Sequence, residues 1–378
     1  MKKQTLLKLA FVLVSLAAAT VGTGQRPLAV AGRPEIVPPV RYRVIDLGED
    51  SFGNVITDSG RILGSISFGG PDRDAGFFPS PRSSAIDLGT LPGFTGSRGL
   101  GMNSRGQMVG FATPFDMQAP LFWAGSQSAP VELPGLSDGI VGQASGINRC
   151  GQIVGTFFTA DSELPVFWPN SNASPTYLTE LSNELPFGEA LSINAAGNIF
   201  GDGCSPDFVE CHAAFWENSA STPVALASPG GDFIYTDAGG FSSGETVAHG
   251  LNNSGSMAGF AYNADFSQTR AVFWASNSSP AVVLSTSDEF SNGTAECIND
   301  EGRIVGTAYN SDFSESHAFL WQSANSPGID LNTVISPHSG WVLEIARSVN
   351  RAGAITGEGL LNGVGHGYAL IPVRGSDN

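Results

Sequence analysis

The chain has 378 residues, 48 of them glycine, with 35 acidic residues against 18 basic ones. All three lysines, Lys2, Lys3 and Lys8, precede residue 20, so the remainder carries fifteen arginines and a formal charge of 15 − 35 = −20. That balance excludes nucleic-acid binding, which needs Lys/Arg clusters to release counterions from phosphates, and the missing lysine excludes Schiff-base chemistry.

Residues 1–19 begin with Lys2 and Lys3, continue as an apolar run from Leu6 to Ala18, and end in Ala17-Ala18-Ala19. This is the pattern of a secretory signal peptide. No cysteine follows the run and no second stretch approaches the ~20 apolar residues that span a bilayer, so a protein without a membrane anchor, exported to the periplasm or medium, is expected. Residues 20–40, with Pro27, Pro34, Pro38 and Pro39, read as an extended leader.

From Gly53 to Gly357 one phrase recurs seven times: a small residue, later an apolar residue and Asn (once Thr57), two variable residues, Gly, and another Gly four places on. Its first Gly falls at 60, 106, 151, 197, 255, 302 and 353. A period near 46 residues lies in the propeller-blade range. Asn-x-x-Gly suits a tight hairpin, with Asn bonding the turn backbone and Gly accepting positive φ. Strand a enters that turn and strand b leaves it, as in Gln152-Ile153-Val154-Gly155-Thr156-Phe157. An aromatic strand c follows: Leu121-Phe122-Trp123, Val166-Phe167-Trp168, Ala214-Phe215-Trp216, Val272-Phe273-Trp274 and Phe319-Leu320-Trp321. Those aromatics are expected to pack blade on blade. Strand d is written most clearly as Ala85-Ile86-Asp87-Leu88-Gly89.

The seventh unit stops after strand c, whereas Arg43-Val44-Ile45-Asp46-Leu47-Gly48 matches strand d at the opposite end of the repeat region. The expected fold is therefore all-β: a seven-bladed β-propeller of four-stranded blades over residues 41–373, closed by the N-terminal strand completing the last blade, with 374–378 as a tail. A small residue four before each Asn (Gly53, Gly99, Ala144, Ala190, Ala248, Ala295, Ala346) fits inner strands converging on a crowded axis. A monomer is expected.

Asp87-Leu88-Gly89-Thr90-Leu91, Ile147-Asn148 through Gly155, Ile298-Asn299 through Gly306, and His317-Ala318-Phe319-Leu320-Trp321 together resemble the HAF family of bacterial extracellular repeats. The likeness covers residues 43 to 373 and implies secretion and a repeat fold, with no defined activity, substrate or cofactor. The His is kept at His212 and His366 but replaced by Asp74, Ala119, Leu164 and Arg270, which argues against a shared catalytic role. The apolar sorting anchor of many such chains has no counterpart in Ile371 to Asn378, which favours release.

Candidate binding residues lie where the repeat becomes irregular. Two long d-to-a connections, 227–247 and 332–345, contain Asp232, Tyr235 and Asp237, and His338 and Trp341. One equivalent strand-a position reads His249, Glu296 and Arg347 in successive units, where three ionisable groups would line one side of the channel mouth. The b-to-c turns carry Asp72, Asp116, Asp161, Asp207, Asp265 and Asp312, an acidic rim on the face of those connections. No Ca²⁺-loop or zinc spacing is present and no metal or cofactor is expected. Gly240-Phe241-Ser242-Ser243-Gly244 matches a hydrolase elbow but lacks its strand-turn-helix setting. Cys204 and Cys211 bracket one b-to-c turn and are expected to form a disulfide, leaving Cys150 and Cys297 unpaired. The resulting expectation is an extracellular binding module for a carbohydrate, peptide or protein partner. The alternative is a polymer-degrading hydrolase or lyase using His249 with Asp232, Asp237 or Glu296.

Overall fold

The computed structural model describes residues 41–69, 72–114, 118–135, 141–159, 161–239 and 250–373. The signal segment, the leader, Asp116, Ala248, His249 and the Gly240–Gly244 elbow lie outside the described residues. Each Asn-x-x-Gly turn folds as its chemistry requires: the seven glycines all have φ between 77° and 89°, a region open to Gly without steric cost. Asn103 Oδ1 accepts the N–H groups of Arg105 and Gln107 at 3.0 and 3.1 Å, and the pattern repeats at Asn148, Asn194, Asn252 and Asn299.

The asparagines also join the blades. Each Nδ2 donates to the backbone carbonyl at the same position of the next turn, from Asn103 to Asn148, Asn194, Asn252, Asn299, Asn350 and finally Thr57, at 2.9–3.1 Å. Thr57 has no amide to pass on. It bonds its own turn through Arg61 instead, so the ladder stops between blades 1 and 2.

Seven four-stranded antiparallel sheets form the propeller. Blade 7 consists of Trp341–Val349, Ile355–Leu361 and Val364–Val373, completed by Arg41–Glu49, which pairs with Val364–Val373 from Arg41↔Val373 to Glu49↔His366. Trp123, Trp168, Trp216, Trp274 and Trp321 are buried, and each indole N–H donates to a carbonyl of the preceding blade, those of Leu88, Pro134, Thr179, Ala227 and Ser285. The aromatic layer thus both fills and hydrogen-bonds each blade junction.

Two details differ from the sequence reading. At Gly53 and Gly99 it is the neighbouring blade that leaves no room for a side chain: a Cβ on Gly53 would strike Thr356 of blade 7, and one on Gly99 would strike Leu63 of blade 1. The extra residues of unit 5 also lie elsewhere. Its strand a starts at Phe233, after a connection from Leu226 to Asp232 of ordinary length, and Asp237 pairs with Phe260. Buried Ala238, not Ala248, therefore takes the small-residue seat. The strand resumes at Gly250 and Leu251, which bond Ala258 and bridge Met257. The insertion thus interrupts the innermost strand of blade 5, at the place where every other blade has a one-residue bulge.

Candidate functional site

Alternating strand direction puts all b-to-c and d-to-a connections on one face and the Asn turns on the other. The exposed apolar residues are divided accordingly. Phe68, Val209, Ile234, Phe313, Val342 and Val364 lie on the connection face, whereas Val131, Tyr177, Val224 and Val283 are on the outermost strands and Val373 ends the last strand. Among the described residues, the exposed large apolar side chains of the two faces therefore collect on the first.

Blades 4, 5 and 6 share one b-to-c turn: Ser205-Pro206-Asp207-Phe208-Val209-Glu210, Asn263-Ala264-Asp265-Phe266-Ser267-Gln268 and Asn310-Ser311-Asp312-Phe313-Ser314-Glu315. In each, the first residue accepts the Phe N–H at 2.9–3.2 Å and donates to the sixth carbonyl. The phenylalanines have φ of 57°, 58° and 58°. That left-handed conformation costs a bulky residue about 1–2 kcal/mol. Their rings meet Phe187 at 5.5 Å, Tyr262 at 5.0 Å and Tyr309 at 5.5 Å, while Phe313 remains 38% exposed. The adjoining carboxylates of Asp207, Asp265 and Asp312 are held below their ordinary pKa by the hydroxyls of Ser205, Ser267 and Ser314. At the base of the first turn Cys204 and Cys211 are register partners joined by a disulfide. Cys150 and Cys297 are free.

The residues singled out from sequence divide into two levels. Asp232 and His338 are exposed on the connection face. Tyr235 is half-buried, with its ring 5.9 Å from His212 and 5.4 Å from Tyr262. Trp341 is half-buried against His366 and Tyr368. Glu296 and Arg347 are bulge residues and, contrary to a channel-mouth position, are 1% and 0% exposed. Arg347 binds Glu358 at 2.8 Å. Glu296 Oε1 accepts from Thr294 at 3.0 Å. Burial raises the Glu296 pKa to about 7 despite the opposing charge of Arg347. Burial, reinforced by Asp237 and Glu189, likewise raises Asp202 well above the ordinary range. These carboxyl groups are enclosed by protein rather than presented to a polymer.

The fold is that of known propellers. The chain superposes on "YCF48 bound to D1 peptide" with a TM-score of 0.52 and 9% identity, covering 89% of this chain and 97% of that one. YCF48 from Cyanidioschyzon merolae gives 0.53 and 9%, covering 88% and 99%. The gluconolactonase XC5397 of Xanthomonas campestris gives 0.41 and 8%, covering 90% and 93%. At such identities the likeness shows the fold alone. No protein-family model and no curated protein matches the sequence.

Two shallow depressions, about 330 and 340 Å³, are lined by Leu178, Thr179, Glu180, Ser182 and Asn183, and by Arg61, Phe77, Pro79, Arg105, Gly106, Gly125 and Ser126. Neither includes a residue of the aromatic turns. Among the described residues no three His, Cys, Asp or Glu side chains are placed to share a metal ion. Sequence reasoning found the turn aspartates and missed the phenylalanines beside them, although the repeated Asp-Phe pair at 207–208, 265–266 and 312–313 was a readable signal.

Proposed function

We propose that this chain is an exported propeller of the HAF-repeat type that acts as a binding module, holding a peptide or protein partner on the connection face of blades 4 to 7. The observation that carries the reading is the segregation of exposed apolar side chains onto that face, beside ionised turn carboxylates. A partner of that kind covers a broad, shallow surface, which suits a face whose aromatic turns line neither depression. YCF48, a propeller of the same shape, is described as bound to a peptide, and this supports the partner class by analogy of fold. The hydrolase reading loses one of its three candidate acids, because Glu296 is enclosed; Asp232 and Asp237 remain to it.

The test is panning of the full chain against displayed peptides, with a glycan array in parallel. Saturable peptide binding that is lost in Val209→Ser/Ile234→Ser and kept in Ser126→Asp on the opposite face is expected. Selective glycan binding, or peptide binding lost equally in both variants, would overturn the assignment.

A further inference from the structure

The Asn-turn face has a charge unlike that of the rest of the chain. Over blades 1 to 3 its turns and loops are residues 57–61, 79–85, 103–107, 124–130, 148–152 and 169–175, and their charged side chains are Arg61, Arg82, Arg105, Arg149 and one acid, Asp58. Asp58 is turned toward blade 7, where it accepts the Arg351 N–H at 2.9 Å and stands 3.7 Å from the Arg351 guanidinium. Cations gathered in this way repel one another unless an anion offsets them.

Two of them share a depression. The space of about 340 Å³ at the junction of blades 1 and 2 is lined by Arg61 and Arg105, with Phe77 and Pro79 as an apolar part of its wall. It lies where the asparagine ladder is interrupted. In other blades a long polar side chain at the position of Arg61 is bonded within the protein. Gln107, Gln152 and Asn198 each accept from the Asn amide of their own turn at 2.7–3.0 Å. Arg303 donates from Nε to Gln322 Oε1 at 3.3 Å and from Nη1 to the Arg351 carbonyl at 3.0 Å.

Blade 1 departs from both arrangements. Thr57 replaces the Asn, and Pro79, which has no acceptor in its side chain, stands at the position of Gln322. Arg61 Nη1 reaches across the junction to within 3.2 Å of where a Cβ on Gly106 would stand. Arg105, in that same Gly106 turn, is the only basic residue at its position among the seven turns. Among the described residues neither guanidinium has an acceptor, whereas Arg73, Arg98, Arg270, Arg303, Arg347 and Arg351 each have one. Two open guanidinium groups therefore face one concavity. Their planar forks of N–H donors match the oxygens of a phosphate, sulfate or carboxylate.

We propose that the depression between blades 1 and 2 is a binding site for a compact oxyanion, which takes its hydrogen bonds from Arg61 and Arg105 and rests its carbon skeleton on Phe77 and Pro79. Its size suits one small solute or the end of a larger one. A long polyanion would be repelled by the acidic surface beyond it. The site is on the face opposite the peptide-docking surface and stands independently of it.

The probes are inorganic phosphate, glucuronate and neutral glucose, titrated into the full chain by calorimetry in a cationic buffer. Phosphate, glucuronate or both are expected to bind saturably at one site, more weakly as NaCl rises from about 20 to about 300 mM, and glucose is not. Tighter binding of phosphate would identify a free tetrahedral anion as the ligand, and tighter binding of glucuronate an acid sugar. Arg61→Gln and Arg105→Gln should each weaken binding about five- to tenfold with Tm unchanged, since neither side chain bonds the fold. Arg149→Gln removes the same charge from the same face outside the depression, and should change binding less than about twofold. Absence of binding by both anions, affinity unchanged in the Arg61 and Arg105 variants, equal loss in Arg149→Gln, or glucose binding as tightly as glucuronate would each overturn the proposal.

Discussion

The histidine that recurs in strand c has a structural partner: His317 Nδ1 lies 2.8 Å from Asp330 Oδ2 and His366 Nδ1 2.9 Å from Asp46 Oδ1, in each case the Asp of strand d. Burial alone would lower the His317 pKa, but the hydrogen bond and charge of Asp330 outweigh it and raise it above 6.5; His317 in turn holds Asp330 below 3.8 against the opposing effect of burial. The His317 contribution is therefore complete below about pH 6.5 and lost as pH rises through its raised pKa, and the Asp330 contribution is lost on acidification below about 3.8. His317→Gln should cost about 1 kcal/mol more at pH 5.5 than at pH 9, measured by urea unfolding; an equal loss at both pH values would remove the ion pair from the account. Glu296 acts in the same direction by a different cause. Its burial favours the neutral acid, so stability falls as pH rises from its ordinary 4.5 to about 7, by a loss of about 3 kcal/mol. Glu296→Gln keeps an acceptor for Thr294 and should flatten most of that decline; a pH profile identical to that of the parent would show that the Glu296 carboxyl binds its proton equally well in the folded and unfolded chain.

At the scale of elements, the Asn turn is both a local cap and a bridge between blades. Asn148→Ala removes two acceptor bonds within its turn and the donor bond to Asn194, a loss of about 2–4 kcal/mol. The interrupted junction offers the reverse test. Thr57→Asn would place an amide where the Asn103 carbonyl lacks its inter-blade donor, and an increase of about 1 kcal/mol in unfolding free energy is expected; no change or a decrease would mean that the blade 1 turn is not spaced like the other six. The hairpin was legible because its Asn and positive-φ Gly are local requirements. The bridge was not, since five of its links join residues 45 to 58 places apart and the sixth, from Asn350 to Thr57, spans 293 places and depends on ring closure. Blade 5 shows the same limit. Ala248-His249-Gly250-Leu251-Asn252 reads like Ala190-Leu191-Ser192-Ile193-Asn194, and only the pairing of Asp237 with Phe260, 23 residues on, shows that Ala238 has already filled the seat. The left-handed φ of Phe208, Phe266 and Phe313 is likewise unwritten in residue type, because Phe is the last residue turn chemistry would choose there.

On the scale of the whole molecule, the ring holds two kinds of junction. Six are made by successive blades, each with Trp or equivalent ring packing and most with an Asn bridge; the seventh joins chain ends separated by more than 300 residues. Arg41–Glu49 supplies the outer strand of blade 7 and buries Tyr42 and Leu47, each worth about 1.5–3 kcal/mol. Its Asp46 also receives His366. Without it, Val364–Val373 becomes an unpaired edge in an otherwise closed ring, open to pairing with another chain. Deleting Arg41 to Gly48 should therefore lower Tm by more than about 10 °C and produce concentration-dependent association. A synthetic peptide spanning Arg41 to Glu49 can re-form the same antiparallel pairing by strand addition, and should raise the Tm of the deletion variant while leaving the parent unaffected. A deletion variant that melts with the parent would show that blade 7 is stable with three strands and that the ring needs no latch. A deletion variant that melts early but ignores the peptide would place the loss in the chain ends themselves, rather than in the missing hydrogen-bonded edge.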